Sequence, residues 1–488
     1  MFETAELGRV CSKQEFEERV PEIRTRLLQL QTLLEPARFP VIVIVSGVDG
    51  AGKRETANLL NEWFDARYLV NETYAPPTEE ERERPEFWRY MRWLPQAGRI
   101  GLFQGSWYTR PILQRVAGKT SSVSFDRDLE RIRRFEELLT SDGALLIKLW
   151  FHVSKREQRR RLERLEEQPR TRFLVTKRDW KHHASYDRFI PVCERAVRET
   201  STGNAPWSLI EAADDRFRNL SVANELLARL EAKLSLPVLE PEPRPEPPRA
   251  DPITILDRIE LSQTVSRADY EKRVPELQAR LSRLARKLSK RKKSAILLFE
   301  GDDAAGKGGA IRRIIPALTA GQFRVIPIAA PTEEERSHHY LWRFYRHLPR
   351  RGKITIYDRS WYGRVLVERV EGFATPVEWS RAYAEINDFE RELVEDGIVL
   401  VKFFLRVSPE EQLRRFQERE REPWKQHKIT PEDYRNREKR NQYEEAAAEM
   451  IARNSTEFAP FTLVSGEDKR HARVSVLEAV CRRIEESL

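Results

Sequence analysis

Short apolar runs, set off by glycine-rich turns, alternate along the chain with longer segments of mixed polarity. In the second half, Ala295–Phe299, Arg324–Ala329, Ile354–Tyr357, Ile398–Leu405 and Phe461–Val464 have the length and continuity of buried strands. Between and after them, Val377–Val394 and Pro409–Arg421 have the mixed polarity of helices. Strands alternating with helices predict an α/β fold, a parallel sheet with helices on both faces.

The pattern is written twice. FEERVPE at 16–22 matches YEKRVPE at 270–276, and GVDGAGK at 47–53 matches GDDAAGK at 301–307. PTEEERERPEFWRYMRWLP at 77–95 matches PTEEERSHHYLWRFYRHLP at 331–349, and SWYTR at 106–110 matches SWYGR at 360–364. Every pair is offset by 254 residues, and the offset still holds where NAPWSLI (204–210) faces FAPFTLV (458–464). Two copies without net insertion imply one fold used twice. Between them, residues 237–252 (PVLEPEPRPEPPRADP) hold seven prolines and no periodic apolar pattern. Such a stretch predicts an extended, semi-rigid linker. The expected domains are 1–236 and 253–488.

Composition adds boundary conditions. At 488 residues the chain exceeds a single ordinary core. Its apolar runs are far shorter than the ~18 residues a membrane-spanning helix needs. The first ten residues, MFETAELGRV, lack the charged-then-apolar order of a signal peptide. Three cysteines, Cys11, Cys193 and Cys481, without a CxxC spacing, predict neither a disulfide framework nor a zinc site. A reducing cytoplasm is the expected location. The net charge of +9 favours a polyanionic partner. Much of it, as in Arg283–Lys293, also reads as a solvated helix face.

Candidate chemistry concentrates in the second copy. Gly301-Asp302-Asp303-Ala304-Ala305-Gly306-Lys307-Gly308 has GxxxxGK spacing between a predicted strand and a predicted helix. Glycines let backbone N–H groups turn toward a phosphate, the helix N-terminus adds its dipole, and Lys307 reaches the transferred group. The Ser or Thr that ordinarily follows the lysine and binds Mg²⁺ is replaced by Gly308, and by Arg54 in the first copy. Asp303 can substitute as a carboxylate ligand, since Mg²⁺ often uses only one or two. The competing reading makes Asp302 and Asp303 helix caps. The strand Ile354–Tyr357 delivers Asp358 to the sheet edge where ligands bind in open α/β folds. There it can hold a metal or orient an acceptor, while Arg359 and Arg364 clamp phosphate oxygens. A structural Asp–Arg pair is the alternative. The basic stretch Gln412–Arg419 followed by Pro423-Trp424-Lys425 is either a lid that closes over phosphates or a solvated helix. In the first copy Tyr357-Asp358-Arg359 becomes Phe103-Gln104-Gly105, without carboxylate or guanidinium. That copy is expected to be a degenerate scaffold.

Taken together, GDDAAGKGG, PTEEERSHHYLWRFYRHLP, YDRSWYGRVLVERVEGF, KFFLRVSPEEQLRRF and SGEDKRHAR resemble the polyphosphate kinase 2 family over nearly the whole second copy. The tandem arrangement is similar to its fused members, which act as polyphosphate:AMP phosphotransferases. The resemblance implies two tandem P-loop kinase-like domains, each with a parallel sheet, flanking helices and a helical lid. It also implies Mg²⁺ and inorganic polyphosphate as phosphoryl donor. The family's motif roles fall on Asp303, Lys307, Asp358, Arg359 and Arg364, with Asp303 and Asp358 as metal ligands. Gly301, Gly306 and Gly308 cradle phosphate, and Lys425 and Asp433 fall in a lid sequence shorter than is usual for the family. The expected reaction converts AMP to ADP. Phosphorylation of nucleoside diphosphates is the nearest alternative, followed by an ATP-dependent nucleotide kinase. No recognisable RNA- or DNA-binding module supports a nucleic-acid partner. The residues leave a homo-oligomer open.

Overall fold

The computed structural model of the chain describes residues 1–236, 255–429 and 431–488, the side chains of Lys425, His427 and Lys428 excepted. The expected linker, 237–252, lies outside the described residues. Two compact units make up the chain. The first comprises Met1–Pro77, Arg89–Leu239 and Thr332–His339; the second comprises Thr78–Trp88, Glu240–Pro331 and Tyr340–Leu488.

The first unit carries β1 (Val41–Gly47), β2 (Leu69–Thr73), β3 (Ile100–Gln104), β4 (Leu145–His152) and β5 (Trp207–Glu211). They form a parallel sheet in the order β2-β3-β1-β4-β5. The second unit repeats it with β6 (Ser294–Gly301), β7 (Phe323–Pro327), β8 (Ile354–Asp358), β9 (Ile398–Arg406) and β10 (Phe461–Ser465). Its order is β7-β8-β6-β9-β10, again parallel throughout. The expected α/β fold, used twice, is what the chain adopts.

Parallel pairing explains the continuous apolar runs. A central strand covered by helices on both faces must bury every residue, and all nine residues of β9 are buried. Leu281, Leu284 and Leu288 of the helix Arg267–Lys290 join Leu477, Val480 and Ile484 of Lys469–Ser487 in one core cluster with Leu297 and Val401 of the sheet. The helix Pro376–Glu395 starts with a capping box, in which the Thr375 side chain accepts from Glu378 N and Glu378 accepts from Thr375 N. Among the described residues no helix is long and apolar enough to cross a membrane.

One charged residue of β9 is also wholly buried. Lys402 Nζ donates to Glu390 Oε2 at 2.6 Å, to Tyr362 OH at 2.9 Å and to Asn454 O at 2.7 Å. Glu390 Oε1 accepts in turn from Trp361 Nε1 and Tyr362 OH. Each polar atom is paired, as burial demands. The network fastens the SWYGR turn to the sheet. Lys148, Glu136, Tyr108, Trp107 and the Thr200 carbonyl build the same network in the first unit.

Candidate active site

In the second unit β6 runs into the glycine loop and then the helix Lys307–Ile314. Gly301 is obligatory at the strand end. Its φ is +131°, and a Cβ there would collide with the Leu405 backbone of the neighbouring strand. Lys307 Nζ folds back over the loop to the carbonyls of Gly301 at 2.6 Å and Asp302 at 3.0 Å. An ammonium resting on loop carbonyls can exchange them for the oxygens of an anion.

Neither aspartate caps the helix: the N-cap is Gly306, with no side-chain cap. Asp302 Oδ2 accepts from Val407 N at 3.0 Å, and burial pushes its carboxyl above the usual range. Asp303 has other partners. Its Oδ1 accepts from Arg359 Nη2 at 3.1 Å and its Oδ2 from Asn436 Nδ2 at 2.9 Å. Burial raises its pKa, but the charges of Lys307 and Arg359 and the Asn436 hydrogen bond outweigh burial and hold it below the usual range. Asp358 ends β8 opposite Phe299 of β6. Its Oδ2 faces Gly308: a Cβ added there would stand 4.0 Å away. The position where a Ser or Thr hydroxyl is ordinarily found is thus vacated in front of a carboxylate.

A cavity of about 110 Å³ opens beside the loop. Glu300, Asp302, Asp303 and Arg359, from the strand ends and the glycine loop, line it together with a second group, Asn436, Arg437, Arg440 and Tyr443. The second group belongs to the helices Pro431–Glu438 and Arg440–Asn454, adjoining the expected lid. In the preceding helix, Pro409–Arg421, the inner face supports the loop. Gln412 Nε2 donates to Asp303 O at 3.1 Å, and buried Arg415 donates to the carbonyls of Ala304, Gly466 and Glu467. Arg414 on the outer face is exposed and pairs with Glu411.

The polyphosphate kinase 2 family profile matches this chain twice, over residues 10–235 and 264–488. The chain belongs to the polyphosphate kinase 2 family. It is 47% identical over 99% of its length, and 99% of the relative's, to a polyphosphate:AMP phosphotransferase of Pseudomonas aeruginosa. A polyphosphate:AMP phosphotransferase of Acinetobacter johnsonii is 36% identical over 91% of this chain and 90% of its own. An NDP-polyphosphate phosphotransferase of Ruegeria pomeroyi is 40% identical over 44% of this chain and 72% of its own. Among solved structures, a polyphosphate kinase 2 from P. aeruginosa superposes with a TM-score of 0.89 at 46% identity, covering 100% of this chain and 99% of that one.

Within this polyphosphate kinase 2 chain the site residues expected from sequence fall into two groups. Lys307, Gly301, Gly306, Gly308, Asp303, Asp358 and Arg359 meet at the glycine loop. Arg364 lies one residue beyond the cavity-lining Gly363, 3.2 Å from Glu368 and stacked on the Tyr340 ring at 4.6 Å. Asp433, in the first turn of Pro431–Glu438, lies in the field of Arg419. The Lys425 side chain lies outside the described residues. Sequence reasoning missed Glu300, Asn436, Arg437, Arg440 and Tyr443. A signal for them exists in the comparison of the two copies. At the positions of Glu300, Asn436, Arg437, Arg440 and Tyr443 the first copy has Ser46, His182, His183, Tyr186 and Phe189.

The first unit's loop is arranged differently. Lys53 Nζ donates to Gly47 O and Val48 O, and also to Asp49 Oδ1 at 3.3 Å. His182 Nδ1 stands 2.6 Å from the other Asp49 oxygen. Gln104 and Gly105 occupy the places of Asp358 and Arg359. The buried Arg218 guanidinium fills the space beside Gly52 and is bonded to Thr56 and Asp215. The corresponding space beside Gly306 is open.

Proposed function

We propose that this chain transfers the terminal phosphoryl group of polyphosphate to AMP at the glycine loop of its second unit. The carrying observation is the meeting of Lys307, Asp303, Arg359 and Asn436 over that loop, in a chain related over its full length to polyphosphate:AMP phosphotransferases. An oxygen of the AMP phosphate attacks the terminal phosphorus, and the bridging P–O bond to the shortened polyphosphate breaks. No covalent intermediate with the protein is required. Catalysis then consists of positioning and charge neutralisation.

Lys307 exchanges its loop carbonyls for phosphate oxygens, and Arg359 neutralises charge spreading over the transferred group. Arg437 and Arg440 on the lid side bring further positive charge and exclude water, which would otherwise compete with AMP. Asp303 and Asp358 offer two hard oxygen ligands. That fits Mg²⁺, which accepts one or two carboxylates and takes phosphate oxygens and water for the rest. When bound, Mg²⁺ supplies charge neutralisation at the phosphate oxygens. Arg364, Asp433 and Lys425 extend the binding path for the polyanion in this reading. The first unit, without an Asp358 or Arg359 counterpart, is a scaffold.

The test is incubation with polyphosphate and Mg²⁺, with AMP or ADP supplied separately and the nucleotides resolved. ADP formed from AMP supports the reading. ATP formed from ADP, with AMP left untouched, transfers the chain to the diphosphate-using branch.

A further inference from the structure

Arg359 has a left-handed backbone, φ +65°, in the turn that leaves β8. A side chain larger than glycine persists there only when its surroundings over-determine it. The first unit avoids the problem, because Gly105 takes the same conformation, φ +73°, without a Cβ. Two consecutive residues of β6 hold the turn in the second unit. Arg359 N donates to Phe299 O at 3.0 Å, and Ser360 Oγ donates to Glu300 Oε1 at 2.6 Å. Glu300 and Ser360 are 5% and 2% exposed, so their hydrogen bond is shielded from competing water. The first unit has Ser46 at the Glu300 position; its Ser106 Oγ keeps the contact both copies share, accepting from Tyr108 N at 3.4 Å as Ser360 Oγ accepts from Tyr362 N at 3.3 Å. The carboxylate accompanies the strained arginine in one copy and is missing with it in the other.

We infer that Glu300 is a positioning residue: through Ser360 it holds the turn that aims the Arg359 guanidinium at Asp303 and the glycine loop. Glu300 therefore acts on the rate through Arg359. The buried carboxylate also lies in the field of Lys307 and Arg359, and burial raises its pKa, consistent with a group kept for its place rather than for stability. Loosening a clamp that acts on transition-state charge lowers kcat more than it raises KM.

The inference rests on the proposed reaction, and a double-mutant cycle on kcat for ADP formation from polyphosphate and AMP tests it. Glu300→Ala lowers kcat roughly 10- to 100-fold, as loss of a hydrogen bond to a charged group should, with less than a threefold change in polyphosphate KM. Glu300→Gln, which still offers Ser360 an acceptor, recovers most of the loss. In an Arg359→Gly background, where the turn needs no tether, Glu300→Ala costs less than about twofold. Losses that multiply in the double variant would overturn the inference while leaving the reaction intact. A wild-type protein that makes no ADP would contradict the reaction itself. If Glu300→Ala does not fold, Ser360→Ala breaks the same hydrogen bond from its other end and carries the same two expectations.

Discussion

The Arg359 guanidinium stands 3.1 Å from the Asp303 carboxylate, joining the turn after β8 to the glycine loop after β6. The first unit retains the aspartate as Asp49 but has Gly105 in place of the arginine; Asp49 Oδ1 turns to Lys53 instead, while His182, at the Asn436 position, keeps the contact to the other oxygen. One aspartate is thus held toward an arginine clamp and the other is tied down by its own lysine. In the proposed reaction, the difference in chemistry between two copies of one fold reduces to a few such exchanges.

Asp303→Asn and Asp358→Asn should each fold and lose at least roughly 100-fold in kcat, because in the proposed reaction both carboxylates hold Mg²⁺ and a neutral amide is a poorer ligand for it. Steady-state assays across a Mg²⁺ titration check this. Near-wild-type turnover of either variant would remove that aspartate from the mechanism.

Two carboxyls at the site predict opposite pH dependences of stability. Burial raises the Glu300 pKa, so the folded state binds its proton more tightly than the unfolded chain does. Stability is then lost as pH rises above the unfolded value of about 4.3. Glu300→Gln removes that cost. Its melting temperature should exceed the wild type's at pH 8, and the gap should close as pH falls toward 4. Asp303 runs the other way: its pKa is depressed, its contribution is present above about 3.9 and disappears on further acidification. Melting curves of wild type, Glu300→Gln and Asp303→Asn from about pH 2 to 8 separate the two signs.

Polyphosphate KM should rise steeply with ionic strength. Arg359, Arg437 and Arg440 line the cavity, and such contacts are screened over a Debye length of about 10 Å at 0.1 M salt. A KM that stays flat as salt rises would argue against an extended electrostatic path.

The buried Lys402–Glu390 pair should matter for stability. Lys402→Met strands the Glu390 carboxylate beside Trp361 and Tyr362, at a cost of about 3–5 kcal/mol. Adding Glu390→Gln should return part of it, since the stranded charge is gone. Urea unfolding of the single and double variants measures both steps; equal stability of the two would contradict the pairing.

The repeated strand–loop–helix plan was legible in sequence because buried parallel strands appear as unbroken apolar runs and the copies keep a constant offset. β7 was misplaced at its end. Ile328 and Ala329 continue the apolar run, yet the strand stops at Pro327, where its partner strand ends at Asp358. The glycine loop and Asp358–Arg359 were legible because their spacing is local. Asn436 and Arg440 were not, since more than a hundred residues separate them from Asp303 and only the fold brings them together. Lys402 falls inside the predicted strand Ile398–Leu405, but nothing in a linear sequence marks Glu390 as the partner buried with it. Glu300 was hidden in the strand, where one carboxylate among apolar residues gives no period of its own.

Catalysis by the second unit alone is the central claim, and paired lysine substitutions test it most directly. Lys53 and Lys307 occupy equivalent positions and rest on equivalent loop carbonyls. Only Lys307 shares its loop with the Asp303–Arg359 pair and with Asp358. Loss of one carboxylate and one phosphate clamp costs several powers of ten in rate, so the first loop has little activity to lose. ADP formation from polyphosphate and AMP should survive Lys53→Ala nearly unchanged and be almost abolished by Lys307→Ala, with both proteins folded by circular dichroism. Equal loss in the two variants would contradict the assignment.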